Sequence, residues 1–458
     1  MLRQNQLLLI LLGIIIVVGI FAGRVIVSTS GGEVLFGAIA LGVLFATFIS
    51  PIIGLYTLIF SMLLSPETVV GSLPGRDIVV RLDEILLILI TFTWLVRMAV
   101  YKELKLLKWT PLNRPIFVYI LIMIISTTAG VFFGTVWSPL KGFFYTLRYI
   151  EYFLLFFLVA NSVQNKRQII NFLTAFFITC LIISIYASSH IGEVGRVSAP
   201  FEGAGEPNTL GGYLVFMLAL ILGVYLYSSS VRIKFYLGGL ALCITLPLLY
   251  TLSRASYLAI IPTYFTLIIL SEKKKFLIGA LLIAIMFSLV FMPEVVISRI
   301  KDTFISAAPF PDVKFAGISI GPSPAARVVS GRQALKDWVN HPVLGYGITG
   351  YGFLDNQYAR NLVETGIIGL TVYLWLMFAI YRRAIGIYKS LEDRFYKGLT
   401  LGFIAGFIGL LTHALTANTF MIIRIMEPFW FVAGIIMMIP RIIESEHQST
   451  RKSIVHSP

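Results

Sequence analysis

Charge is what this 458-residue chain has least of: charged residues make up 13%, and Asp and Glu number 22 against 36 Lys and Arg. A soluble domain carries about a quarter charged residues, so an ordinary water-facing globular exterior is excluded. Cysteine is nearly absent. Cys180 and Cys243 both fall inside apolar runs, which excludes a disulfide framework or a cysteine-rich zinc site and leaves them as expected small buried hydrophobes. No zinc, nucleophile-elbow or phosphate-loop signature occurs either. Any chemistry is therefore expected to be acid/base work helped by arginines, with no metal and no cofactor.

What the chain has in abundance is apolar length, with 58% of residues hydrophobic. A bilayer core about 30 Å thick takes roughly 20 apolar residues per helix. Such runs stand near 7–23, 34–50, 52–65, 84–100, 116–134, 144–162 and 168–188. They continue near 209–229, 236–252, 255–271, 276–293, 361–381, 398–417 and 420–440. The fold class expected is all-α: a polytopic integral membrane bundle of about fourteen transmembrane helices, forming a single membrane domain over 1–458. The first run lacks a convincing small-x-small cleavage site, and keeping it makes the later loop charges alternate, so it is read as a retained helix. Residues 1–195 form N-terminal helices, 196–440 a core, and 441–458 a tail.

The net charge of +14 raises nucleic acid as a partner, and the distribution of that charge excludes it. Basic residues gather in short loops around Lys102–Arg114, Lys166–Arg167, Arg232–Lys234, Lys273–Lys275 and Arg382–Lys397. With the fourteen runs in register, all of these fall on one side, as do both termini. The positive-inside rule makes that side the cytoplasm and the location the cytoplasmic (inner) membrane. The opposite side receives 66–83, 189–208 and 294–360. The last is long enough for structure of its own. It opens on PEVVISRIKDTFISA, which could lie as an interfacial helix, and includes an amphipathic helix expected over Ser330–Asn340. That helix has an apolar stripe of Ala334, Leu335, Trp338 and Val339, opposite Arg332, Lys336 and Asn340. Arg332 and Lys336, four apart, repel each other unless an anionic partner compensates.

Several arginines sit on the non-cytoplasmic side, against the charge rule: Arg148, Arg196, Arg254, Arg327, Arg332, Arg360 and Arg424. Arg254, in TLSRAS, occupies a turn of a few residues at the membrane face. It either snorkels to headgroups or clamps a phosphorylated ligand. Arg148 with Glu151, Arg424 with Glu427 and Arg360 with Glu364 have helical pair spacings that suit internal ion pairs. Asn208 reads as an N-cap or as a ligand contact near a helix N-terminus. His341, before a Pro-turn and a Gly-rich run, is a structural residue or a base. Asp355 is a cap or a general base.

In chain order, EPNTLGGYL, TLSRAS and GRQALKDWVNHPVLGYG followed by DNQYARNLVETGIIGL resemble the O-antigen ligase and polymerase superfamily, over roughly residues 195–440. The resemblance implies an inverting, metal-independent glycosyltransferase. Such an enzyme moves a glycan from undecaprenyl pyrophosphate to a hydroxyl acceptor at the outer face of the cytoplasmic membrane. Arg254 matches the family arginine assigned to the pyrophosphate, and Arg196 is a looser match to another. Where the ligases carry a histidine beside the loop asparagine, this chain has Asp355 beside Asn356, a departure that leans toward a surface-polysaccharide polymerase. The candidate base is Asp355, with His341 in reserve. The candidate substrate-binding set is Arg254, Arg196, Arg332, Arg327, Asn208, Lys336 and Asn356. Partners implied are the lipid-linked glycan, membrane lipids and a chain-length regulator. The competing readings are a ligase onto lipid A or protein, and a transporter or flippase.

Overall fold

A computed structural model describes residues 42, 45–65, 67–73, 76–101, 108–193, 195–200, 206–303, 314–315, 318–319 and 322–455. The apolar run at 7–23 and most of 34–50 lie outside them. The chain divides into two compact units, one of residues 1–58 with 82–106 and one of 59–81 with 107–458. Among the described residues, nine helices are long and apolar enough to cross a bilayer, and two shorter apolar helices accompany them. The protein is a helical multi-pass membrane protein.

In the smaller unit, helix α1 (Pro51–Leu64) contributes its first half, and α2 runs over Leu82–Tyr101. Gly54 lets α1 close on its surroundings: a Cβ there would lie 2.7 Å from Thr47 Oγ1 and 3.1 Å from Ile90.

The larger unit includes an antiparallel pairing of β1 (Glu67–Leu73) with β2 (Arg76–Arg81), from Glu67 opposite Arg81 to Leu73 opposite Arg76, with a shift of register between Val69 and Gly71. Helices α3 (Asn113–Phe132), α4 (Pro139–Ser162), α5 (Lys166–Ser189), α6 (Pro207–Tyr227), α7 (Val231–Tyr250), α8 (Arg254–Leu270) and α9 (Lys274–Phe291) follow. Then come the short α10 (Glu294–Lys301), a small pairing of β3 (Lys314–Phe315) with β4 (Ile318–Ser319), and α11 (Pro322–Trp338). Helices α12 (Gln357–Ser390), α13 (Arg394–His413) and α14 (Ile423–Val455) complete the chain.

The centre of this unit is the α6–α13 contact. Lipid tails are as apolar as leucine, so helices in a bilayer associate through close backbone approach rather than through a hydrophobic driving force. Gly398, Gly402 and Gly406 recur every fourth residue on α13 and face α6. A Cβ on Gly402 would stand 2.6 Å from Ala219 O and 2.8 Å from Leu220 Cα. Gly402→Leu is therefore expected to force the helices apart and destabilise the protein by about 1–3 kcal/mol. A lowered thermal midpoint in detergent, unmatched by Gly239→Leu on the open face of α7, checks this. An unchanged midpoint would mean that the crossing yields without strain.

The apolar span of helix α14 is almost wholly buried and packs on α4 through Tyr152, Phe153, Phe156 and Trp430. Arg424 at its start is fully buried and donates to the carbonyls of Leu63 (3.3 Å), Ser65 (3.2 Å) and Pro200 (3.0 Å). It staples three strands of chain together, as a structural arginine does. Arg148 lies over the rings of Phe144 and Tyr145. Cys180 is buried, but Cys243 lies on the exposed face of α7, so only the first is the small buried hydrophobe expected.

Helix α12 is longer than the apolar run 361–381, and it is interrupted. Gly366 has φ 66° and ψ −171°, a backbone open to glycine and costly for other residues. Broken helices in a bilayer must have their freed polar groups paired by neighbouring protein, and the 342–347 turn does this. Tyr346 N and Gly347 N donate to Val363 O (2.8 Å) and Glu364 O (2.9 Å), while Ile367 N donates to Pro342 O (2.9 Å). Just before the break, Arg360 and Glu364 form the expected ion pair, 2.9 Å apart and both buried.

Candidate functional site

The site is built around the three-residue turn between α7 and α8. Thr251 Oγ1 donates back to Leu248 O (2.8 Å), Leu252 adopts φ 48°, and Ser253 caps α8 by accepting from Ser256 N. A left-handed leucine is strained. The turn tolerates it because its carbonyls are held from outside. Arg196 Nε donates to Thr251 O (3.0 Å) and Arg299 Nε donates to Leu252 O (3.2 Å), while Val197 N donates to Tyr250 O (3.1 Å). Guanidiniums at the C-terminal end of α7 also complement its dipole.

Arg254, the next residue, has the opposite situation. As the first residue of α8 it places a cation at the positive end of a helix dipole. Its Nε and Nη1 are buried with no hydrogen-bond partner among the described residues. Arg299, Arg327 and Arg196 all lie within electrostatic reach of it, opposed by Asp302. Burial, and then the positive charges of Arg299 and Arg327, pull the Arg196 guanidinium below its ordinary pKa. Arg327 arrives on α11, where Arg327, Gly331, Ala334 and Trp338 share one stripe. Ala334 packs with Leu354 and Val363, and Trp338 and Tyr351 lean on that cluster. This packing lays Arg327 against Asp355, whose Oδ2 accepts from its Nε (3.2 Å) and Nη2 (3.0 Å). Four guanidiniums thus face two carboxylates, Asp302 and Asp355, a positive excess that a bound anion would relieve. Guanidinium forks suit phosphate oxygens in particular.

Beneath the arginines runs a chain of buried polar side chains. Ser253 Oγ donates to Asn208 Oδ1 (2.8 Å), Ser256 Oγ donates to Ser253 Oγ (2.9 Å), Ser256 Oγ and His413 Nε2 are 3.3 Å apart, and His413 Nδ1 is 2.7 Å from Thr419 Oγ1. Gly211 and Gly212 leave the room this needs: Cβ atoms there would meet Ser256 Oγ at 2.1 Å and His413 Cε1 at 3.3 Å. His413 also lies within electrostatic reach of Arg327.

Two residues expected as caps have other places. Helix α6 starts at Pro207 after Glu206, so Asn208 does not cap it and instead reaches across to the cap of α8. Asn356, not Asp355, caps α12, accepting from Ala359 N (2.9 Å) and donating to Leu415 O (2.9 Å). Both polar ends of Asn356 are used by the fold, and Asp355 is left facing Arg327.

The remaining candidates are His341, Arg332 and Lys336. His341 sits among aromatic rings, 4.4 Å from Tyr346 and 6.5 Å from Phe133. Arg332 and Lys336 are exposed on α11. The expected apolar stripe of that helix splits, since Ala334 is buried while Leu335 and Val339 are 52% and 67% exposed. The helix also begins at Pro322 rather than near Ser330, and its inward face is set by Ala334 packing on Leu354 and Val363. Arg299 was not expected in the site. It stands three residues after Val296, whose burial in the structure turns their shared face of α10 inward.

No known family model matches the sequence, and no curated protein is similar to it.

Proposed function

We propose that the protein is a membrane glycosyltransferase that polymerises glycan carried on a polyprenyl pyrophosphate, at the external face of the cytoplasmic membrane. The observation that carries this reading is the convergence of Arg196, Arg254, Arg299 and Arg327 at the α7–α8 turn, with two donor atoms of Arg254 unpartnered. A lipid-linked pyrophosphate brings the negative charge this site lacks. The resemblance of 195–440 to O-antigen ligases and polymerases points the same way. Both termini are then cytoplasmic, and 294–360 is external to a bundle of about fourteen spans.

The chemistry is one displacement. Asp355 takes the proton of the acceptor hydroxyl, and the acceptor oxygen bonds to the anomeric carbon. The bond from that carbon to the phosphate oxygen breaks with inversion, and the pyrophosphate departs carrying the electron pair and charge that the arginines stabilise. His341 is the reserve base. Arg332 and Lys336, exposed on the same long segment, are placed to meet incoming glycan or lipid headgroups, and Asn356 fixes the backbone beside the base.

A second reading, a transporter or flippase for the same anionic glycolipid, is favoured by the break in α12 beside the buried Arg360–Glu364 pair. Interrupted helices and buried charge recur at transport sites. One experiment separates the readings. Proteoliposomes are oriented so that a cysteine at the exposed Val339 reacts with an impermeant maleimide, and lipid-linked repeat units are supplied in the outer leaflet. Longer carrier-linked chains are expected. Transfer only to a different acceptor would mean a ligase, and movement of unchanged donor across the bilayer would mean a transporter. Elongation confined to vesicles of the opposite orientation would invert the topology.

A further inference from the structure

At the far end of α6 from the arginines, roughly 30 Å along its axis, lies a cavity of about 560 Å³ between α5, α6 and α7. Its wall is apolar and runs along the membrane spans, through Leu173, Phe177, Val224 and Leu237. Its rim is polar and lies where three helices begin: α5 at Lys166, α7 at Val231 after the cap Ser230, and α13 at Arg394 after the cap Asp393. The caps accept from the amides of Gln168, Ile233 and Tyr396 respectively. The positive ends of three helix dipoles meet at the same rim.

The charges lining the rim are Lys166, Arg394 and Asp393, and beside them Glu446 Oε1 accepts from Lys166 N (3.4 Å). Lys166 is ion-paired with Asp393 and lies over the rings of Phe395 and Tyr396. Arg394 is exposed and has Glu272 within electrostatic reach. Lys166 is taken by Asp393 and the four charges balance, so the group open to an anion is the guanidinium of Arg394, which is in no ion pair among the described residues, together with the helix ends. An apolar slot along the bilayer with an exposed guanidinium at its mouth has the two-part chemistry of a phospholipid site.

We propose that this cavity binds one anionic phospholipid, with its phosphate at the Arg394 rim and an acyl chain along the Leu173–Leu237 wall. The site is separate from the guanidinium cluster and does not rest on the glycosyltransferase reading. The lipid would wedge α5 and α7 against the α6–α13 core.

Native mass spectrometry of the full-length protein, released from detergent after adding phosphatidylglycerol or phosphatidylcholine at equal concentration, tests this. One phosphatidylglycerol is expected to be retained about fivefold better than phosphatidylcholine, the value of one basic residue at a lipid phosphate. Arg394→Gln should bring the ratio close to one, whereas Arg383→Gln, on the exposed surface of α12, should leave it unchanged. Thr174→Trp and Ile233→Trp fill the cavity from different helices at positions already open to it, and either should remove the retained lipid. Equal retention of the two lipids by the wild type overturns the proposal. Retention that survives a folded tryptophan variant overturns it as well.

Discussion

Arg254→Ala should abolish turnover of a pyrophosphate-linked donor while leaving the protein folded and inserted. Removing one partner of a buried charge-assisted contact costs about 2–5 kcal/mol, which corresponds to a fall of roughly 30- to 5,000-fold in rate or affinity. The same change should not destabilise the unliganded protein. Arg254 stands at the wrong end of a helix dipole, facing Arg196, Arg299 and Arg327, with two donor atoms unpartnered. Its removal therefore relieves repulsion. Loss of activity together with an unchanged or raised thermal midpoint is the expected pairing, and a structural arginine would move the midpoint down instead. Arg254→Lys should rescue poorly, because an ammonium is a point charge and cannot fork across two phosphate oxygens. Wild-type turnover in the alanine variant would reduce Arg254 to a snorkelling anchor.

Asp355→Asn should lower turnover about 10²- to 10⁴-fold, the usual worth of general-base help, with donor binding retained. The amide keeps the shape of the side chain, and the cap of α12 is Asn356, so the helix start should survive. The ion pair with Arg327 is about one-quarter to one-third exposed at each side chain, and pairs of that kind contribute at most about 1 kcal/mol. Stability should thus change little. A positioning role is separable from a base. If Asp355 serves only to hold Arg327, then adding Asp355→Asn to Arg327→Ala should cost no further activity, and acceptor pH dependence should persist in the Asp355→Asn variant. A base predicts instead that the acid limb of the rate profile vanishes. Full activity in Asp355→Asn with a dead His341→Ala would transfer the role to His341, despite its position among aromatic rings.

The local signals in the sequence carried the membrane architecture, because hydropathy and pair spacing depend on neighbours a few residues apart. Apolar runs marked the helices, and the i, i+4 spacing of Arg360 and Glu364 marked their ion pair. The polarity of the Arg254 turn marked that residue as out of place in the bilayer. Contacts made across the fold left no such trace. Arg196, Arg254, Arg299 and Arg327 come from a loop and three helices far apart in sequence, and only the packing of α10 and α11 over the α7–α8 turn brings their charges together. Arg299 in particular reads as one polar residue of an interfacial helix until Val296 turns that face inward. Cap identity was equally undetermined, since Asp355 and Asn356 are both good caps and the hydrogen bond from Asn356 to Leu415 O, reaching across to the end of α13, selects between them. The same holds for His413, whose meaning depends on Ser256 and Thr419 arriving on either side of its ring. Sequence marked which segments are apolar enough to cross a bilayer, because hydropathy is a local property of composition. Tertiary structure decided which charges meet, because charge convergence is a property of helix packing that no window of sequence contains.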